Sequence, residues 1–328
     1  IIATRSPESG SWRRKLPAPV CLATRPQPAA LPNLPIPGVP MDFSFGAARA
    51  VYAAGQHPRL YVSAPDRAVL RKRCGGGDSE RLLRGLRQRL AGVVSSIHGA
   101  QDLAADLGSW NRAWNLPGTR MIFGLRDMAA LAWLEGDPQV LGAVRLVLTH
   151  ATEATQKGRP ETARAFPGSA GGTLCAAYDF VRDHLSEAER QTFCTWVVEQ
   201  VIRRQIAIWG VNFFKNSGGN MHMGPMLGAL FGLLVIEGEP GVPDLSRERA
   251  HLLKMYEAAI NGAVHDRGYP EEDIGYGTAV AAYLVDMGEV LRRAGWFDYY
   301  RQTPRLTRVG TAIMHFVQPW GEALTNTG

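Results

Sequence analysis

Asn216, Asn220 and His222 fall within one short stretch, Asn216-Ser217-Gly218-Gly219-Asn220-Met221-His222, that leads into an apolar run. Amide and imidazole donors beside the exposed N–H groups of a helix start suit an anionic group, so this is a candidate carboxylate site. The same residues also read as a capping loop, with Asn in turn positions and His222 hydrogen-bonded within the fold. A second polar stretch, His265-Asp266-Arg267-Gly268-Tyr269-Pro270-Glu271-Glu272-Asp273-Ile274-Gly275-Tyr276, again leads into a helical pattern. His265, Glu271 and Glu272 are its binding or acid-base candidates, and Tyr276 is a phenol able to give or take a proton. Its plainer reading is an acidic loop that favours the following helix start, with Tyr269 packed beneath it.

Rigid elements must aim these loops, and from about Pro65 onward apolar residues recur at helical spacing almost without pause. Leu82, Leu83, Leu86 and Leu90 mark one face of a first helix; Arg81, Arg84, Arg87 and Arg89 around it read as a solvated charge pattern. A second helix is predicted over 119–135, after which Gly136 stops it, Asp137 caps the next and Pro138 opens it. Ser186-Glu187-Ala188-Glu189 is a capping box, followed by Phe193, Val197 and Val201 on one face. Further helices are predicted over 171–183, 221–236, 244–264, 277–294 and 305–317. No strand pair alternates at period two, so the chain reads as all-α. Antiparallel helix hairpins stack as a solenoid or curl into an (α/α) toroid, and the lack of a crisp repeat favours the toroid.

Composition narrows the function. With 328 residues, 45% hydrophobic and 20% charged, the chain can bury a large core, and its apolar runs are too short or broken for a membrane span. The formal net charge is +6, but Arg5, Arg13, Arg14, Lys15 and Arg25 against Glu8 place +4 of it in residues 1–40. The remainder is close to neutral, which argues against a nucleic-acid partner and leaves room for a local cationic site that binds an acidic glycan. Residues 1–55, Pro-rich in their first forty positions, are expected to be a disordered leader without a recognisable secretory signal, ahead of a helical domain over 56–328. Cys21, Cys74, Cys175 and Cys194 show neither zinc spacing nor a disulfide framework, and the helical ones read as small hydrophobes. Nothing in the sequence calls for a metal or a cofactor.

Taken together, the two polar loops resemble those of the heparinase II/III-like polysaccharide lyases. Asp266-Arg267-Gly268-Tyr269-Pro270-Glu271 followed by Tyr276 is similar to that family's DGGYPEG-like turn and Tyr, and Asn220-Met221-His222 to its Asn/His loop. His57-Pro58-Arg59-Leu60-Tyr61 resembles the family's opening motif, and 174–183 its Tyr-Asp-containing helix, so the likeness runs from about Gln56 onward. Asn-Met-His replaces an adjacent Asn-His pair, which makes Asn216 a rival to Asn220, and Arg267 and Glu272 stand where glycines are usual.

The resemblance implies an incomplete (α/α) toroid of antiparallel hairpins, followed in the family by a C-terminal β-sandwich with further active-site groups, and a periplasmic or secreted compartment. It implies β-elimination at a uronic acid: Asn220 and His222 offset the substrate carboxylate, a base removes the C5 proton, and Tyr276 protonates the leaving O4 and for some configurations serves as both. Trp110, Trp114 and Arg120, in and after a loop rich in Asn and Gly, then become stacking and carboxylate-binding candidates, or packing between helix ends. Asn216, His265, Glu271 and Glu272 join them as substrate-binding candidates. Two other readings stay open: a glycoside hydrolase on the same fold, pairing Glu271, Glu272 or Asp273 with Asp127 or Asp179, and a non-catalytic glycan-binding helical scaffold.

Overall fold

The computed structural model describes Met41 and residues 56–108, 117–156, 170–213, 219–266, 268 and 274–314. In chain order the helices are α1 (Asp66–Cys74), α2 (Gly77–His98), α3 (Leu103–Gly108), α4 (Pro117–Glu135), α5 (Pro138–Gln156), α6 (Gly171–Val181), α7 (Glu187–Trp196), α8 (Arg204–Phe213), α9 (Asn220–Ile236), α10 (Ser246–Ala263), α11 (Ile274–Arg293), α12 (Tyr299–Gln302) and α13 (Pro304–Met314). A π-helical segment, Val197–Arg203, joins α7 to α8. No strand occurs among the described residues, which are all-α. No described helix is long and apolar enough to cross a membrane. The described residues belong to one unit, Leu34–Gly328. Of the leader expected over 1–55 only Met41 is described, and its backbone N–H donates to Glu257 Oε1 at 2.8 Å.

Helices start where the sequence supplies caps. Asp137 Oδ1 accepts the N–H groups of Gln139 at 2.8 Å and Val140 at 3.3 Å, with Pro138 as the first residue of α5. Ser186 and Glu189 complete a reciprocal capping box on α7. Phe193, Val197 and Val201 are buried as their spacing requires, although the last two lie in the π segment. The first predicted apolar face is corrected in part: Leu90 is buried, Leu83 and Leu86 are partly covered, but Leu82 is 71% exposed, one position off the buried stripe. Around it Arg81, Arg84, Arg87 and Arg89 pair with Asp78, Glu80, Glu135 and Asp127. These are exposed pairs worth little each, and nothing about them marks a binding patch.

Four helices form an inner row, in which α4 packs on α6, α6 on α9 and α9 on α11. They run parallel. A side chain on Gly172 of α6 would sit 3.4 Å from Gly228 Cα of α9, while Gly232, later in α9, faces Cys175, later in α6. A Cβ on Gly232 would meet Val197 Cγ1 at 2.7 Å, so this position needs glycine for the π segment to pack so near α9. Trp133 and Phe180, near the C-terminal ends of α4 and α6, lie 5.8 Å apart. Arg249, in the first turns of α10, pairs with Glu237 just past α9 and stacks 4.4 Å from the Trp296 ring just past α11. The start of α10 therefore lies at the C-terminal ends of both α9 and α11, and α10 runs antiparallel to each.

Within the row α9 is buried throughout Met223–Ile236, and α6 nearly throughout. A helix apolar on every side is one that neighbours surround. The exception in α6 is Asp179, fully buried. Its carboxylate accepts the backbone N–H of Arg59 at 3.0 and 2.9 Å, the N–H of Leu60 at 2.8 Å, and contacts His57 Nδ1 at 2.7 Å. His57 Nε2 lies 3.1 Å from Glu239 Oε1, and Arg182 grips Glu239 through Nε and Nη2 at 2.9 and 3.0 Å. Arg59 Nη1 donates to the Leu234 and Glu237 carbonyls that end α9. The segment 57–60 is thereby fastened across the C-terminal ends of α6 and α9.

Burial alone would raise the Glu239 carboxyl, but the bonds from His57 and Arg182 outweigh it and hold it at about 2. Asp179→Ala leaves three N–H groups unmet in the interior and is expected to cost about 3–5 kcal/mol in a denaturant titration; an unchanged midpoint would show that the segment is not held this way. Because the folded carboxyl of Glu239 is depressed, its contribution is complete above the ordinary Glu value and fades as pH falls toward 2. Glu239→Gln should therefore lower stability at neutral pH by about 2 kcal/mol and narrow its gap to wild type in acid unfolding curves.

Candidate functional site

Immediately beyond this lock, Tyr61 reaches between three inner helices. Its ring meets Phe231 of α9 edge-on at 5.9 Å, and its hydroxyl donates to Asp286 Oδ2 of α11 at 3.0 Å. Arg126 of α4 donates through Nη1 to the same hydroxyl at 3.3 Å, lies 3.6 Å from Asp286 Oδ2, and stacks 5.5 Å from the Tyr61 ring. Burial and then the Asp286 charge push the Tyr61 phenol well above the ordinary range, so it stays protonated and acts as a donor. Burial likewise raises the Asp286 carboxyl, against the opposing effects of Tyr61 and Arg126.

Exposed side chains border this cluster. Phe123 precedes Arg126 by three residues on α4 and is 54% exposed; Tyr283 precedes Asp286 by three on α11 and is 38% exposed. Residues three apart on a helix are surface neighbours, so aromatic and polar groups form one strip. Further toward the helix starts lie Arg120 on α4 and Tyr276 on α11, both exposed. None of Tyr61, Arg126 and Asp286 stands out in the sequence as a site residue: Arg126 and Asp286 read as ordinary exposed charges on amphipathic helices. The only available signal was Tyr61 closing the His57-to-Tyr61 motif.

The predicted residues divide by location. Tyr276 occupies the first turn of α11 and is 58% exposed, and Arg120 is exposed in the first turn of α4. Asn220 and His222 open α9, while their side chains lie outside the described residues. Asn216, Trp110, Trp114, Glu271 and Glu272 also lie outside the described residues. His265 is exposed in the turn after α10, its carbonyl accepting the Gly268 N–H at 2.8 Å. Since α4, α6, α9 and α11 run parallel, Arg120, Asn220, His222 and Tyr276 all belong to the N-terminal edge of the row, opposite the His57 lock.

Asp266, which opens the Asp-x-Gly-Tyr-Pro-Glu pattern, is fixed from below. Asp266 Oδ1 lies 2.9 Å from Arg305 Nη2, its carbonyl accepts from Arg308 at 3.1 Å, and Arg305 also donates to the Val264 carbonyl. Asp266 is thus an anchor to α13. Of the two carboxylates considered for a hydrolase, Asp179 is sealed under residues 57–60, and Asp127, partly exposed, pairs with Arg89 toward α2 at 3.1 Å. Cys175 and Cys194 are buried, and burial pushes the Cys194 thiol up to about 11, so it stays protonated and unreactive at neutral pH.

Two clefts lie away from this edge. One of about 230 Å³ is lined by Leu148, Thr152, Leu185, Glu189 and Phe193, the other of about 420 Å³ by Cys194, Glu199, Pro240, Gly241 and Pro243. Neither gathers donors for an anion beside an acid or base. The sequence matches no family model and no curated protein.

Gly268 has φ +90°, and a Cβ there would meet the Arg308 backbone at 2.8 Å. Gly268→Ala is expected to lose about 2 kcal/mol in thermal or chemical unfolding. Gly268→Asn, which tolerates positive φ, should recover little because the contact with Arg308 remains; full recovery would mean that backbone conformation alone sets the cost.

Proposed function

We propose that this protein is the (α/α) toroid part of a polysaccharide lyase that cleaves a uronic-acid-containing glycan by β-elimination. The observation that carries the reading is the parallel order of α4, α6, α9 and α11, which brings the helix starts bearing Arg120, Asn220, His222 and Tyr276 to one edge. The reading is supported by His57 and Asp179 meeting in the lock, by Asp266 being anchored on α13, and by Tyr276 being exposed.

In this mechanism donors at the start of α9 offset the carboxylate of the uronate, which makes its C5 proton removable. A base takes that proton, the electron pair forms the C4=C5 double bond, and the C4–O4 bond breaks as Tyr276 protonates the leaving oxygen. Tyr276 is suited to this because it is solvent-accessible, whereas Tyr61, whose proton burial retains, serves as a fixed donor.

Tyr276→Phe is expected to lower turnover by about 10²–10⁴-fold while circular dichroism and the unfolding midpoint stay as in wild type. The assay is ultraviolet absorbance of the conjugated unsaturated product, run on a panel of uronate polymers. New reducing ends without that absorbance would point to hydrolysis, and full activity in the variant would remove Tyr276 from the mechanism.

A further inference from the structure

We infer that the strip formed by Phe123, Arg126, Tyr61, Asp286 and Tyr283 is a second saccharide subsite, one that holds an acidic pyranose residue of the chain at a distance from the bond being cleaved. The inference rests on the lyase reading only for the identity of the chain. Of the strip's residues only Tyr61 belongs to a sequence motif, as the last residue of the His57-to-Tyr61 segment; Phe123, Arg126, Tyr283 and Asp286 belong to none.

Three features of the strip match sugar chemistry. Arg126 is held in place on one side, by the Tyr61 hydroxyl at 3.3 Å, the Tyr61 ring at 5.5 Å and Asp286 at 3.6 Å, yet its side chain remains 49% exposed. A guanidinium pinned at one end and open at the other offers its remaining N–H groups to a carboxylate or sulfate without losing much rotamer freedom. Asp286, 31% exposed, is an acceptor beside it for a ring hydroxyl. Phe123 and Tyr283 expose aromatic surface next to these polar groups. Stacking on a ring face with polar groups at its margin is how a binding site takes an amphipathic pyranose.

Charge sets the preference for an acidic residue. Among the described residues Arg126 adjoins Asp286, whose ionisation burial opposes, and Asp127, which already pairs with Arg89, while Arg120 is exposed six residues earlier on α4. The position sets the role: from Tyr276 to Asp286 the α11 axis rises about 15 Å. That is too far for one sugar to contact both, so the strip reads the chain beyond the reacting residue.

The test is binding of size-defined hexasaccharides from alginate, pectate, chondroitin and heparin to the full chain by calorimetry, with cellohexaose as the neutral control. At least one acidic hexasaccharide should bind wild type more tightly than cellohexaose. Arg126→Gln should weaken that binding about tenfold or more, and Phe123→Ala and Tyr283→Ala should each weaken it several-fold. Circular dichroism of each variant confirms its fold, and Arg126→Lys, which keeps the charge but not the fork, should recover only part of the loss. Unchanged affinity in both Arg126→Gln and Phe123→Ala overturns the subsite, as does failure of every acidic hexasaccharide to bind wild type or equal binding of cellohexaose. Binding that depends on Arg126 without any unsaturated product leaves the subsite standing and removes the lyase reading. Product formation with affinities indifferent to the strip does the reverse.

Discussion

A single buried carboxylate organises this protein. Residues 57–60 run across the ends of α6 and α9 as irregular backbone, and no strand is at hand among the described residues to take their N–H groups. An interior N–H without an acceptor costs about as much as a lost hydrogen bond, so such a segment needs a local substitute for a sheet. Asp179 supplies it, with two oxygens that accept from Arg59 and Leu60 and contact His57. Burying a charge is costly unless it is surrounded by donors, and here the donors are the groups that themselves needed an acceptor. Glu239, between His57 and Arg182, repeats the arrangement at the next position along. The stability that results is cooperative: removing any one partner strands the others.

From this lock the consequences run toward the site. With Leu60 fixed and fully buried, the next residue can only enter the inner row, and Tyr61 does so against Phe231. Its hydroxyl then ties α4 to α11 through Arg126 and Asp286, helices whose starts carry Arg120 and Tyr276. The placement of the N-terminal edge thus depends on an interaction at the opposite end of the same helices. Helix packing transmits it because α6 and α9 approach closely: glycines at 172, 228 and 232 leave no side chain to hold them apart.

Much of this architecture was legible in the sequence. Asp137-Pro138 and the Ser186-to-Glu189 box mark helix starts through local bonding, and local bonding is what sequence spacing encodes. The helical character of 220–236 and 274–293 follows from apolar content alone. Asp179 was conspicuous as the one charge in the apolar run 171–181, but a lone buried carboxylate looks the same whether it acts on a substrate or on backbone 120 residues away. Leu82 was assigned to the core because four leucines so close together define more than one possible stripe. The Tyr61, Arg126 and Asp286 cluster was illegible for a plainer reason: its members are separated by 65 and 225 positions, and none is unusual in its own neighbourhood.

The burial pattern constrains where a ligand can touch the inner row. Met223–Ile236 of α9 is buried throughout and α6 offers almost nothing to solvent, so the middle of the inner row is closed. Among the described residues of the row, contact is left to the helix starts and to the outward sides of α4 and α11, where Arg120, Phe123, Arg126, Tyr276, Tyr283 and Asp286 lie. These residues extend along two helices for about 15 Å rather than surrounding one point. An enclosed pocket selects a small molecule by burying most of its surface; an elongated array of exposed rings and charges gains affinity only from a ligand long enough to meet several of them at once. A polymer satisfies that condition, and under the function proposed above its binding along α4 and α11 would position the residue that reaches Tyr276 without requiring a deep cavity there.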